Sequence, residues 1–189
     1  MQILNYTEYG NKDLPAIIIL HGFLGSSKNW MTISKVLSED YRVIAVDLRN
    51  HGDSFHDEQH SYEDMVADII NLLDHLKLNN VLVMGHSMGG KVAMKFACVH
   101  PGRILKLIVV DIAPKQYFPD RKEVKCMRAI DLLQLKNKQS AEDQLAVDIK
   151  DLGLRKFLLT NLAQNKEGQF YWKANLGVFL KEIPSLGNN

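Results

Sequence analysis

The chain has 189 residues, 46% hydrophobic and 24% charged, with a formal net charge of +1. Such a mixture is that of a globular domain and excludes disordered and fibrous classes. The near-neutral balance argues against nucleic-acid binding, whose domains are strongly basic, and no apolar run approaches the ~18 residues of a membrane span.

Strand and helix signals alternate through the first 112 residues. Residues 2–9 read as a short strand. Ala16-Ile17-Ile18-Ile19-Leu20 is a continuous apolar, largely β-branched run, as expected of a strand buried on both faces. His21-Gly22-Phe23-Leu24-Gly25-Ser26-Ser27 interrupts it, and a short amphipathic helix is predicted over residues 30–37. Residues 41–47 form the next strand, followed by a polar loop over 48–59. Residues 61–78 give the clearest helix: Tyr62, Val66, Ile69, Leu73 and Leu76 recur at helical spacing, and Ser61 with Asp64 makes a capping box. A buried strand at 81–85, a helix at 88–100 stopped by Pro101-Gly102, and a strand at 104–112 complete this part. Alternation of this kind predicts an α/β fold, a mostly parallel sheet with helices on both faces.

The pattern changes near residue 114. Residues 1–114 carry a net charge of −3 and residues 115–189 a net of +4. Beyond 114 the sequence predicts helices at 121–135, 141–151, 154–163 and 176–183, an aromatic turn at Tyr171-Trp172-Lys173, and no buried strand. Two modules are expected, 1–114 and 115–189.

Chemistry concentrates at Gly85-His86-Ser87-Met88-Gly89, a G-x-S-x-G at a strand-to-helix junction. A turn that tight strains the serine backbone. It leaves no room for side chains two residues to either side. Ser87 Oγ is then presented above the sheet at a helix N-terminus, where unpaired N–H groups favour a developing oxyanion. The loop after residue 20 can supply a second donor, so the N–H groups of Phe23 and Met88 are assigned as the oxyanion hole. Asp111 ends a strand on the edge of the sheet where open α/β folds place their sites. His21 and Asp47 are read as organisers of loops, and His86 as a packing or hydrogen-bonding residue.

Four segments carry a family resemblance: His21-Gly22-Phe23-Leu24-Gly25-Ser26, Asp47-Leu48-Arg49-Asn50-His51-Gly52-Asp53-Ser54, the elbow at residues 85–90, and Val110-Asp111-Ile112-Ala113-Pro114. Together they resemble the alpha/beta-hydrolases, and within them the YbfF-like acyl esterases. The resemblance implies a helical cap over 115–189, Ser87 as nucleophile and Asp111 as the acid of a triad. It implies hydrolysis of a small acyl ester or thioester without cofactor or metal. A menaquinone-pathway-like hydrolase or lyase shares the first segment; the Asp-Ile-Ala-Pro stretch favours the esterase.

One element of that triad is missing. The base should be a histidine following the acid. The seven histidines are 21, 51, 56, 60, 75, 86 and 100, and only His100 follows Ser87. Thirteen residues along one helix put it roughly 20 Å away at 1.5 Å per residue. The family also continues with two more strands and a helix, so the C-terminal part of the sheet is expected to be missing here. A truncated hydrolase, or a non-catalytic remnant of one, is the resulting expectation. Its last strand would be left as an edge open to self-association. A dinucleotide-binding domain is disfavoured, because neither G-x-G-x-x-G nor a phosphate loop occurs. The cysteines, Cys98 and Cys126, form no disulfide framework and suit a cytoplasmic protein. The first residues show no secretory signal.

Overall fold

The structure is a computed structural model and describes residues 2–115 and 122–186. The chain falls into two compact units, Met1–Lys115 and Gln116–Asn189.

The first unit is built on a five-stranded sheet in the order β1-β3-β2-β4-β5. Its strands are β1 (Tyr6–Tyr9), β2 (Ala16–Leu20), β3 (Arg42–Val46), β4 (Val81–His86) and β5 (Ile104–Val110). β1 runs antiparallel to β3, and every other pair is parallel. β2 and β3 are buried along their whole length, β2 as an unbroken apolar run and β3 as Val43–Val46 behind Arg42, whose charge is paired with Glu8. The helices are α1 (Met31–Leu37), α2 (Tyr62–His75) and α3 (Met88–Val99). A 3₁₀ turn, Ser27–Trp30, precedes α1, so the predicted helix at 30–37 begins one turn earlier in a tighter form. On one face Ile17, Ile19 and Val43 pack with Trp30, Leu37, Tyr41, Leu82 and Met84. On the other, α3 lies against β4 and β5 and against α2. Ser61 caps α2 as predicted: its Oγ accepts from Asp64 N–H at 3.1 Å, and the Asp64 carboxylate accepts from Ser61 N–H at 3.0 Å.

The polar loop over 48–59 is held by a buried ion pair. Arg49 Nε and Nη2 donate to the two Asp68 oxygens at 2.5 and 2.8 Å, and Nη1 donates to the Gln59 carbonyl at 3.2 Å. This fork ties the loop to the buried side of α2.

The second unit contains α4 (Lys122–Ala129), α5 (Lys138–Asp148), α6 (Leu152–Leu158), the strands β6 (Leu162–Gln164) and β7 (Phe170–Trp172), and α7 (Leu176–Leu186). The hairpin corrects the all-helical expectation. Residues 159–163 of the predicted helix instead form a 3₁₀ turn and the start of β6, and Tyr171-Trp172 lie in a strand rather than a turn. The turn chemistry was present in the sequence. Asn165 Oδ1 accepts from the N–H groups of Glu167 and Gln169 at 3.1 and 2.8 Å, and Gly168 takes the left-handed φ of 79°. Three-residue strands are too short to show alternation. α5 also starts earlier than expected, because Asn137 Oδ1 accepts from Ser140 N–H at 2.9 Å and caps it. α7 passes Pro184, where a stop was predicted; the proline removes one donor there without ending the helix.

Removing one partner of the Arg49–Asp68 pair leaves a buried charge unmatched. Asp68→Ala is therefore expected to cost about 3–5 kcal/mol, measured as a lowered urea midpoint; a change below about 1 kcal/mol would show that the loop does not depend on the pair.

Candidate active site

Ser87 stands at the junction of β4 and α3 with φ 50° and ψ −118°. Only glycine adopts a positive φ without strain, so this backbone is held by its surroundings. The holding contacts are backbone on backbone. A Cβ at Gly85 would overlap the Gly89 carbonyl oxygen, and one at Gly89 would overlap the Leu20 and His21 carbonyl oxygens. A Cβ at Gly90 would reach Ile112 Cγ2 at 2.5 Å. Ser87 N–H donates to Val110 O at 3.0 Å, which fastens the elbow to the end of β5. Serine at a helix N-cap ordinarily spends its oxygen on a backbone N–H. Ser87 makes no such side-chain bond, so its Oγ is not consumed by the helix.

The loop after β2 reaches the same place. A methyl group on Gly22 would lie 3.3 Å from Ser87 Cβ and 2.8 Å from His86 Nδ1. Phe23 follows directly, its ring 5.9 Å from that of His51. Met88, the other assigned donor, is the first residue of α3, a position whose N–H has no partner within the helix.

Asp111 follows β5 with a left-handed φ of 53°, and its side chain is 88% exposed. The His86 ring stands beside it, with Nε2 3.8 Å from Oδ2. The register explains the meeting: His86 pairs with Val110, so the next residue turns beside it. Sequence reasoning gave His86 a packing or hydrogen-bonding role without naming this neighbour. Adjacent residues of a strand point apart, and only the β4–β5 register shows which residue stands across.

Buried polar groups organise the loops below. His21 is buried; its Nε2 accepts from Leu48 N–H at 3.0 Å, so the proton sits on Nδ1, which donates to Gly22 O at 2.8 Å. Burial lowers its pKa, partly opposed by Gly22 O and Asp47. The rings of His51 and His60 continue the cluster at 5.0 and 5.6 Å. Burial, with the Arg49 charge beside it, pushes His60 down to about 3. The Asp47 carboxylate accepts from Ser27 N–H at 2.6 Å, Asp53 N–H at 2.8 Å and Asn5 Nδ2 at 2.8 Å. Burial would raise its pKa, but those donors outweigh it and hold the carboxyl below its usual value. Gly52 passes over it with φ 57°, where a Cβ would strike the carboxylate. His100 lies past the far end of α3, its ring 6.0 Å from Phe96. In the second unit Met127 is buried in α4 and Leu132 and Trp172 are half-buried, while Tyr117 and Phe118 lie outside the described residues. Among the described residues no group of three His, Cys, Asp or Glu side chains could hold a metal ion, and no helix is long and apolar enough to cross a membrane.

A strand, a strained serine and a helix packed through glycines define the nucleophile elbow of one large class, and the chain belongs to the alpha/beta-hydrolase fold family, whose model matches residues 15–173. The chain is 37% identical over 186 residues to the sn-1-specific diacylglycerol lipase ABHD11 of Mus musculus, covering 94% of this chain and 60% of that one. It is 30% identical over 172 residues to the esterase YbfF of Escherichia coli, covering 90% and 66%. An esterase of a marine microorganism superposes with a TM-score of 0.95 at 36% identity, covering 99% of this chain and 74% of its own. The chain thus spans about 60% of the length of the first curated relatives it matches.

Two expectations follow from the site's physics. Ser87→Gly, freed of strain worth about 1–3 kcal/mol, raises the urea midpoint, whereas Ser87→Ala does not; equal midpoints would show that the φ of 50° carries no strain. Between pH 6.5 and about 3 the unfolded chain protonates His60 while the folded chain does not. Stability therefore falls as pH drops through that window, by up to about 1.4 kcal/mol per pH unit for that residue. Urea titrations at pH 7 and pH 5 measure the slope, which His60→Asn should reduce.

Proposed function

We propose that this chain is the nucleophile-bearing part of a serine hydrolase that cleaves carboxylic esters or thioesters through an acyl-enzyme on Ser87. The observation that carries the reading is the serine at φ 50°, with its Oγ unspent at the N-terminus of α3. In the proposed cycle Ser87 Oγ attacks the acyl carbonyl and its proton passes to a neutral imidazole. The N–H groups of Phe23 and Met88 hold the oxyanion. The imidazolium returns the proton to the leaving alkoxide or thiolate. Water, deprotonated by the same base, then attacks the acyl carbonyl and frees the acid and Ser87. Asp111 orients the base and stabilises its charged form. The activities for which the relatives are named, diacylglycerol lipase and esterase, support an ester bond as the target.

The base itself is assigned to chain outside these 189 residues. His21 has both ring nitrogens engaged, His100 stands past the far end of α3, and no histidine follows it. The chain is accordingly read as a partial form, and residues 115–189 as its cap. Two free cysteines support a cytoplasmic setting. Self-association through β5 belongs to the same reading.

In a chimera that restores the missing part from the marine esterase, labelling with a fluorophosphonate probe tests the nucleophile: Ser87→Ala is expected to abolish it, and labelling that survives would overturn the assignment. Alone, the chain should hydrolyse nitrophenyl acyl esters no better than the residual ~10³–10⁴ over water left to an oxyanion hole and binding. In a chimera carrying the remaining part of the marine esterase, Asp111→Asn should lower kcat by about 10⁴. A loss under tenfold would remove Asp111 from the triad.

A further inference from the structure

The loop after β2 carries one of the two proposed oxyanion donors, Phe23 N–H, on the peptide that joins Gly22 to Phe23. Glycine leaves such a peptide free to rotate, and residue 22 has to be glycine. A Cβ there would stand 2.8 Å from His86 Nδ1 and 3.3 Å from Ser87 Cβ. In a trans peptide the carbonyl and the N–H point in opposite directions. A half-turn of this peptide would therefore aim Gly22 O, in place of Phe23 N–H, at an oxyanion formed on Ser87. A stabilising dipole would become a repelling one. The direction of Gly22 O thus decides whether the hole exists.

Two donors hold that oxygen. His21 Nδ1–H reaches it at 2.8 Å, and Gly25 N–H at 2.9 Å. The second bond closes a turn over residues 22–25 in which Leu24 has φ 58°. A positive φ at the third position marks a type II turn, which favours glycine or asparagine there. Leucine is strained in that place and is kept there by its burial, at 3% exposure. The turn is therefore poorly suited to hold Gly22 O by itself, and the His21 bond does not depend on it. The His21 proton is fixed on Nδ1 because Nε2 accepts from Leu48 N–H at 3.0 Å. The preceding residue, Asp47, holds the other end of the loop through Ser27 N–H at 2.6 Å. Two adjacent residues after β3 thus clamp both ends of the loop over 21–27.

We propose that His21 is the positioning residue of the oxyanion hole: its Nδ1–H holds Gly22 O away from Ser87 and so keeps Phe23 N–H facing the developing oxyanion. The inference rests on the hydrolase reading above and deepens it by assigning what keeps the hole formed. His21 transfers no proton in this role, since both of its ring nitrogens are engaged by the backbone. Its effect runs from Leu48 N–H through the imidazole to Gly22 O, and from there through one rigid peptide to Phe23 N–H. Charge on the substrate oxygen is greatest in the transition state, so the loss of this support falls on kcat rather than on KM.

His21→Leu and His21→Asn, made in the chimera with the marine esterase, form the test pair. The two side chains have nearly the same shape, but only asparagine can donate to Gly22 O from the place of Nδ1. His21→Leu should lower kcat on nitrophenyl acyl esters by about 10²–10³, the worth of one oxyanion donor, with KM little changed. His21→Asn should recover most of that loss. Thiono esters give a second readout, because their sulfur accepts hydrogen bonds poorly. The preference for the oxygen ester should shrink in His21→Leu and return in His21→Asn. If both variants fail to fold, the ring nitrogen NMR shifts of His21 in the 189-residue chain decide: a proton on Nδ1 is expected, and a proton on Nε2 overturns the proposal. A His21→Leu loss under about tenfold, less than one oxyanion donor supplies, overturns it too. So do equal losses in the two variants. Each of these results leaves the hydrolase reading standing while turnover requires Ser87. Turnover that survives Ser87→Ala overturns that reading, and the proposal with it.

Discussion

The first turn of α3 approaches the ends of β2 and β4 with backbone touching backbone, and the site depends on that approach. Gly85 abuts the Gly89 carbonyl, and Gly89 abuts the carbonyls of Leu20 and His21. One methyl group at either position would drive the helix off the sheet. The closeness forces Ser87 into a positive φ, turns its side chain away from helix capping, and brings Gly22 within van der Waals range of the elbow. Packing free energy elsewhere in the sheet sustains this strain. β2 and β3 are wholly buried, and burial of a large apolar side chain is worth roughly 1.5–3 kcal/mol. Local strain of 1–3 kcal/mol is affordable only against such a background.

A second layer fixes the loops that border the elbow. Asp47, Arg49 and His21 are buried polar groups, each placed by named partners rather than by packing alone. Three backbone or amide donors converge on the Asp47 carboxylate, Arg49 grips Asp68 with a fork, and the His21 tautomer is set by Leu48 N–H. In a poorly solvated interior each bond is costly to lose. The loops after β2 and β3 are thereby as well defined as the strands they leave.

Much of this was legible in the sequence, and the rest failed for identifiable reasons. Long apolar runs such as residues 16–20 and the helical stripe from Tyr62 declare themselves, because burial on a whole face leaves a periodic trace. Ser61 with Asp64, and the glycines around Ser87, are local constraints written in adjacent letters. The hairpin of β6 and β7 was not legible, since three residues per strand give no period, though Asn165 and Gly168 marked its turn. The meeting of His86 and Asp111 was hidden for another reason. It arises from the pairing of β4 with β5, residues far apart in the chain, and no local pattern encodes that register. The histidine cluster likewise joins residues 21, 51 and 60 through the tertiary fold.

The reach of Asp47 has a consequence for the order in which the chain acquires structure. Its partners are Asn5, Ser27, Asp53 and Ser54, and β1, β2 and β3 all lie before residue 47. During synthesis at roughly 5–20 residues per second, everything that Asp47 gathers has been joined to the chain before the first residue of β4. A three-stranded half-sheet, locked at one end by a carboxylate, can form while the elbow is still unmade. Its inner rim, β2, then waits with open backbone groups for a strand that arrives some thirty residues later and brings Ser87 with it.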